Sequence, residues 1–443
     1  MTSGVGPIDG LISGMNTSQV IAQLMQLAAQ PQANLKKQVS QENLVISAYQ
    51  TVNTKMSTLM TAAQAFTPPN SLTPVNPTWQ AVKATSSDTS VTATATTGAT
   101  AGSFTFDVTS LAKAQVTTAS VSSSGPVTTG SGLDVTAAGK TTHLDITDDT
   151  ADGVAKAINA AKLGVTASVV TTTSGTVLQF SGNSTGAANS FSIAGLASAT
   201  TNITAASDAT IVVGSGTAGA YAISSPTNTF GNVLPNVTLT VSKLTTGATV
   251  DVTSDQDAVA DKMQALVDAA NAALAQINQY TSYNASTKTG GPLTGDFTVR
   301  QLQGKILSAV SNGLSGYGSY KQFGVELTKD GTLTFDRDKF LVAYNADPSA
   351  VQNAVSTGLA KTMNSIADGA THYGTGTLTT AIQSGQNQIT ELNKRISDWD
   401  TRLAVQQKAL QTQFANMETA LGTLKNQSTW LAGQIAGLPT AGG

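Results

Sequence analysis

The sequence contains no cysteine and only two histidines, His143 and His372, in 443 residues. Disulfides, thiolate metal sites and cysteine nucleophiles are therefore excluded, and a histidine-rich metal centre with them. Charge is also scarce, with Asp, Glu, Lys and Arg making up 11% of the chain where an ordinary soluble protein has about 25%. The 23 basic and 26 acidic residues nearly cancel, so no basic field exists for phosphates or anionic lipid, and nucleic acid is not an expected partner. No apolar run approaches the ~18 residues of a spanning helix. The first 35 residues carry no Lys or Arg, so neither a membrane span nor a cleavable signal peptide is expected. Thr, Ser, Ala, Gly, Gln and Asn take the place of charge, in a chain long enough for about three domains.

Apolar periodicity divides the chain. Val20, Leu24 and Leu27, then Tyr49, Val52, Met56, Leu59, Ala63 and Phe66, recur at steps of three and four, which predicts helix over 17–66. Asn16, with Gln19 three residues on, can cap its start, and Pro31 should break or kink it. Pro68, Pro69, Pro74 and Pro77 mark a linker. From Trp79 to about Val252 the period becomes two, as in Phe104, Phe106 and Val108, which predicts strands. One short helix interrupts them, carrying Val154, Ala157, Ile158 and Ala161 behind an Asp-rich start. Between Lys162 and Lys243 the only charged residue is Asp208.

Helical spacing returns at Ser254, where Ser254 and Asp257 read as a capping box ahead of Val259, Met263, Leu266, Ala270, Leu274 and Ile277. A second helix is predicted over 296–312. In the hairpin around Asp330-Gly331, a three-residue loop sets Leu327 opposite Leu333 and Val325 opposite Phe335, keeping one face apolar. That predicts Gly331 in the left-handed position. Asp336 and Asp347-Pro348 open further short helices. Finally Ile389, Leu392, Ile396, Trp399, Leu403, Gln406 and Leu410, then Phe414, Met417, Leu421, Leu424, Ser428, Leu431 and Ile435, predict one long amphipathic helix with a stutter at its join. The pattern alone does not distinguish an intramolecular bundle from an oligomer.

The expected fold is α+β and multidomain, with long N- and C-terminal helices forming a coiled-coil or helical-bundle stalk and β-rich domains inserted between them. The segments are a flexible start over 1–16, an N-terminal helical segment over 17–77 that pairs with the C-terminal helices, and a β-rich region of two domains over 78–252. A helical and hairpin domain over 253–385, a coiled-coil helix over 386–435 and a flexible tail over 436–443 complete the chain.

No chemistry survives inspection of the motifs. Gly214-Ser-Gly-Thr-Ala-Gly219 matches the dinucleotide fingerprint, but no helix follows it and the next acid is Asp251, so it reads as a turn between strands. Asp145, Asp148, Asp149 and Asp152 lack the order of a calcium loop and read as helix-capping acids. Neither histidine sits in a recognisable triad motif. No catalytic activity, metal or cofactor is expected.

The sequence resembles the flagellar filament cap family, hook-associated protein 2 (FliD). Gly10-Leu-Ile-Ser-Gly-Met-Asn-Thr17 with Leu24-Met25, Pro31 and Ile46-Ser-Ala-Tyr49 is similar to that family's start, and Gly102 to Ala112 resembles its first β segment. Ile158-Asn-Ala-Ala, Gly164 to Ser168 and Thr185 to Asn189 resemble its internal module. Leu327 to Phe340 and the terminal heptads resemble its C-terminal half. The resemblance implies a ring-like homo-oligomer of four to six subunits at the flagellar tip, outside the cell. There it would guide flagellin insertion beside the hook-filament junction protein, after export with a flagellar chaperone and without a cleavable signal peptide; a role in cell adhesion is a further implication. The assembly interface would comprise Leu403, Leu410, Phe414, Met417, Leu421, Leu424, Leu431 and Ile435 of the terminal helix, with Val20, Leu24 and Leu27 near the chain start. The rivals are a flagellin or junction protein and a Thr-rich adhesin or fibre. Flagellin's Ala-Gly-Leu-Ala-Ile stretch is absent.

Overall fold

The computed structural model describes residues 13–67, 77–122, 125–314 and 316–436. Of the expected flexible ends over 1–16 and 436–443, residues 1–12 and 437–443 lie outside the described residues, as do the linker prolines Pro68, Pro69 and Pro74. Helices α1 (Thr17–Ala28) and α2 (Gln30–Gln64) come first. Strands β1 (Val82–Ser86), β2 (Val91–Ala95), β3 (Gly102–Ser110), β4 (Val116–Val121), β5 (Gly132–Ala137) and β6 (Lys140–Asp145) lead to α3 (Ala151–Ala161). Next come β7 (Val165–Thr172), β8 (Gly175–Gly182), β9 (Phe191–Ala194), β10 (Thr200–Thr204) and β11 (Ala209–Val213). Strands β12 (Tyr221–Ser225), β13 (Thr229–Leu234), β14 (Val237–Val241) and β15 (Thr245–Ser254) precede α4 (Gln256–Thr281). The short pair β16 (Tyr283–Asn284) and β17 (Thr289–Gly290), α5 (Phe297–Ser311), β18 (Val325–Leu327) and β19 (Leu333–Phe335) follow. Helices α6 (Arg337–Ala346), α7 (Pro348–Asn353), α8 (Ala360–Thr371) and α9 (Thr377–Ala436) end the described chain. Two compact units result, one from residues up to 67 together with those from 263 onward, the other from the stretch between.

The helical unit is built on α2. Asn16 caps α1 by accepting the Gln19 N–H at 2.9 Å, as its spacing predicted. The helix is interrupted at Ala29, and Pro31 occupies the first turn of α2, where its missing N–H costs nothing. From there α2 runs unbroken, although the apolar period is weak between Pro31 and Tyr49. Val52, Met56, Leu59, Ala63 and Phe66 are fully buried, which is the predicted stripe. Asp296 caps α5 through the Val299 N–H and also accepts the Tyr49 hydroxyl, tying the start of α5 to α2. The hairpin β18–β19 has the predicted register, Leu327 opposite Leu333 and Val325 opposite Phe335. Thr328 N–H donates to Thr332 C=O at 2.8 Å, closing the three-residue loop, and Gly331 has φ +73°. Asn271 of α4 hydrogen-bonds both backbone groups of Leu333 at 2.8 Å, which docks the hairpin. Asp336 and Asp347 cap α6 and α7 as expected, with Pro348 at the first position of α7.

The β unit holds two hydrophobic cores. A five-stranded antiparallel sheet ordered β1-β15-β3-β11-β12 and a three-stranded sheet ordered β13-β14-β2 enclose Phe104, Phe106, Val108, Ile211, Phe230 and Leu239. A four-stranded sheet ordered β10-β4-β8-β7, a three-stranded sheet ordered β6-β5-β9 and α3 enclose the second core, with Val154, Ile158, Leu178 and Phe180 fully buried. The passage between them is polar. Lys113 and Ser207 exchange backbone hydrogen bonds, Asn228 brackets the Ala112 backbone, and Asp208 accepts the Ala187 N–H at 2.7 Å. The lone charge of this long stretch thus joins two lobes. Gly214 and Gly216, at φ +66° and +83°, turn the chain between the paired strands β11 and β12, so the glycine-rich motif is a hairpin turn.

Two capping assignments need correction. Ser254 is the last residue of β15, and Asp255 caps α4 by accepting the Ala258 N–H at 3.0 Å. Asp257 instead pairs with Lys83 at 3.2 Å. At α3 the cap is Thr150, whose hydroxyl accepts the Gly153 N–H while donating to Asp148.

Candidate assembly surface

Helix α9 extends nine residues earlier than the predicted 386 start and spans 60 residues without interruption, through the stutter. Helices α1 and α2 run antiparallel to it in one constant register. Ile46 faces Gly385, where an added Cβ would lie 2.8 Å from Ile46 Cγ1. Further along, the Gln32 amide donates to the Asp400 carboxylate and to the Ile396 carbonyl at 3.3 Å. At the far level the Ser13 N–H donates to Glu418 at 3.3 Å, and the Ser13 hydroxyl donates to the same carboxylate. Steps that match to within one residue along both partners separate these levels, so the seam continues across the break between α1 and α2.

The predicted interface residues divide into two groups. Leu403, Leu410, Phe414, Met417 and Leu421 are half-buried. Leu424 is 60% exposed, and Leu431 and Ile435 are exposed beside Trp430 at 66%. On α1 the face against α9 is formed by buried Thr17 and Ile21, whereas Val20, Leu24 and Leu27 point to solvent, Leu27 at 70% exposure. Two apolar stripes are therefore left in water, one on α1 and one on the last turns of α9. Contiguous exposed apolar surface of this kind marks interaction sites. The Arg402 guanidinium lies 5.6 Å from the Trp399 ring centroid, covering one aromatic face of the helix.

Sequence reasoning missed the packing face of α1 and both buried polar contacts. Helix α1, with Val20, Ile21, Leu24, Met25 and Leu27, is apolar around most of its circumference. Two stripes competed, and the spacing favoured the one that faces out. Gln32 and Glu418 gave no local signal, because each acts on a residue more than 360 positions away.

Each histidine is paired with an acidic neighbour. His143 Nδ1 lies 2.6 Å from Asp134 across the β5–β6 pair, and that hydrogen bond raises its pKa on an exposed face. His372 lies 3.2 Å from Asp368. Among the described residues no group of three or more His, Asp or Glu is arranged to hold a metal ion, and no helix is long and apolar enough to cross a membrane.

A family model described as the flagellar hook-associated protein 2 N-terminus matches residues 13–115, and one described as its C-terminus matches residues 206–426. The chain belongs to the flagellar hook-associated protein 2 family. Within hook-associated protein 2, the Escherichia coli K12 protein is 27% identical over 471 residues, covering 96% of this chain and 97% of that protein. The lateral flagellar hook-associated protein 2 of Vibrio parahaemolyticus is 27% identical over 328 residues, covering 68% of this chain and 73% of its own length. Among solved structures, the D1-D2-D3 domains of the flagellar cap protein FliD from Escherichia coli match with a TM-score of 0.55 at 26% identity. That match covers 76% of this chain and 99% of the solved one. The hook-associated protein 2 models take in α1, α2 and most of α9, so the antiparallel seam lies within what the family shares.

Proposed function

We propose that this chain is the structural cap at the tip of the bacterial flagellar filament, where it promotes insertion and polymerisation of exported flagellin. Family membership supports this reading over a flagellin, a junction protein or a Thr-rich adhesin. The observation that carries it is the pair of uncovered apolar stripes on α1 and the end of α9, held in place by the long seam. Val20, Leu24, Leu27, Leu424, Leu431 and Ile435 are the outer part of the assembly surface. The half-buried Leu403, Leu410, Phe414, Met417 and Leu421 form its inner edge. The partners are four to six copies of the same chain, flagellin, the hook-filament junction protein and, before export, a flagellar chaperone. The working location is outside the cell, at the filament tip.

The test is Leu424→Asp. Because Leu424 is exposed in the single chain, the isolated protein should melt as wild type does. In the assembled cap the buried charge should cost several kcal/mol. Cells are expected to lose motility and release flagellin monomers into the medium. Normal filaments on cells that export the Leu424→Asp protein would overturn the assignment of this surface.

A further inference from the structure

Glu418 is 4% exposed on a stretch of α9 whose next residues, Thr419 and Ala420, are open to water. A carboxylate is rarely left in so dry a position unless donors meet it. From the chain start Ser13 meets it with two donors, its N–H and its hydroxyl. Around them the short run Ser13-Gly14-Met15-Asn16 forms one device. The Ser13 oxygen also accepts the Met15 N–H at 3.2 Å, Gly14 turns the chain at φ +73°, and Asn16 caps α1.

Helix α1 buries little apolar surface. Its inner face buries only Thr17 and Ile21, its more apolar stripe faces solvent, and the break at Ala29 separates it from α2. A helix of 12 residues is marginal without tertiary support. Docking by the less apolar face is therefore a choice that something specific must impose. A slip of α1 by one turn along α9 would carry Ser13 away from Glu418 and leave the carboxylate buried without these donors. A single buried polar contact can in this way set the register of a helical seam.

We propose that Glu418 is the positioning residue that docks α1 onto α9, with Ser13 as its partner, and so turns Val20, Leu24 and Leu27 outward for assembly. The inference rests on the capping function proposed above. The clasp is separate from the assembly contacts themselves, and its loss can be read without them.

The experiment uses the full chain with Glu418→Ala, Glu418→Gln, Ser13→Ala and the double variant Ser13→Ala with Glu418→Ala. Hydrogen exchange of amides over 17–28 should speed up about tenfold or more in Glu418→Ala, while exchange over 46–63 and the main melting transition stay as in wild type. Glu418→Gln, which retains an acceptor oxygen, should fall between. The double variant should exchange no faster than Glu418→Ala alone, as expected if the two residues act through each other. In cells Glu418→Ala should shorten filaments and release flagellin, with partial rescue by Glu418→Gln. Unchanged exchange over 17–28 in Glu418→Ala overturns the clasp. Faster exchange there with normal filaments overturns its part in assembly and leaves the capping function standing, because that function is decided by Leu424→Asp.

Discussion

The Asp296 carboxylate uses each oxygen for a different element, Oδ1 to cap α5 and Oδ2 to accept the Tyr49 hydroxyl of α2. Burial first, and then that hydrogen bond, push the Tyr49 pKa far above the usual value of about 10. The folded protein therefore keeps a proton that the unfolded chain releases from about pH 10 upward, so this contribution to stability is whole below that pH and is lost as pH rises above it. Tyr49→Phe should lower stability near neutrality by about 1–2 kcal/mol. It should also flatten the alkaline loss, with Tyr320, raised by its own burial, supplying a remainder in both proteins. Denaturant titrations of both proteins at about pH 8 and about pH 11 measure the difference. Equal alkaline slopes would place the effect elsewhere.

Two glycines of α9 differ in what surrounds them, and the element responds accordingly. A Cβ at Gly385 would press on Ile46 and Glu42 of α2, at 2.8 Å from each, whereas Gly433 has nothing within 4 Å. Gly385→Ala is expected to destabilise the helical unit by about 1–2 kcal/mol, crowding outweighing the gain in helix propensity. Gly433→Ala should raise helical circular dichroism without lowering the melting temperature. A lower melting temperature for Gly433→Ala would show that this end of α9 is covered.

The same scale shows what could be read from the chain itself. The β18–β19 hairpin was legible to the residue, since only one register keeps Val325, Leu327, Leu333 and Phe335 on one face. The start of α4 was misread because Ser254, Asp255 and Asp257 can all cap and lie within four positions. The choice of stripe on α1 was undecidable locally, since its packing face is defined by α9, a helix that begins 349 positions beyond the end of α1. Clasp residues such as Glu418 and Gln32 look like ordinary polar surface until the partner helix is in place.

At the scale of the whole molecule, one unit is contiguous in sequence and the other is assembled from both ends of the chain. The contiguous unit has its own two cores, and its first and last strands are hydrogen-bonded neighbours, β1 paired with β15 from Val82 opposite Ser254 onward. Expressed alone, residues 77–262 should melt cooperatively, since every strand of both sheets in each lobe lies within them. A broad, non-cooperative transition would mean that the flanking helices supply part of its stability. Asp208→Ala in the same fragment should loosen the polar passage between lobes and separate the melt into two steps.

The pairing of β1 with β15 also bears on the order of folding. Gln32 and Ile396, which meet across the helical seam, are 364 residues apart along the chain. Once the β unit has folded, Ala81 and Asp255 are joined by a hydrogen bond of 2.8 Å, and the loop that α2 and α9 must close is cut to roughly half. Halving a flexible loop gains only about 0.6 kcal/mol, roughly a threefold faster encounter. The helical unit should thus remain the slow step. A chain delivered N-terminal end first would carry a finished β unit between two halves of an unfinished bundle until α9, the last 60 residues of the described fold, arrived to complete it.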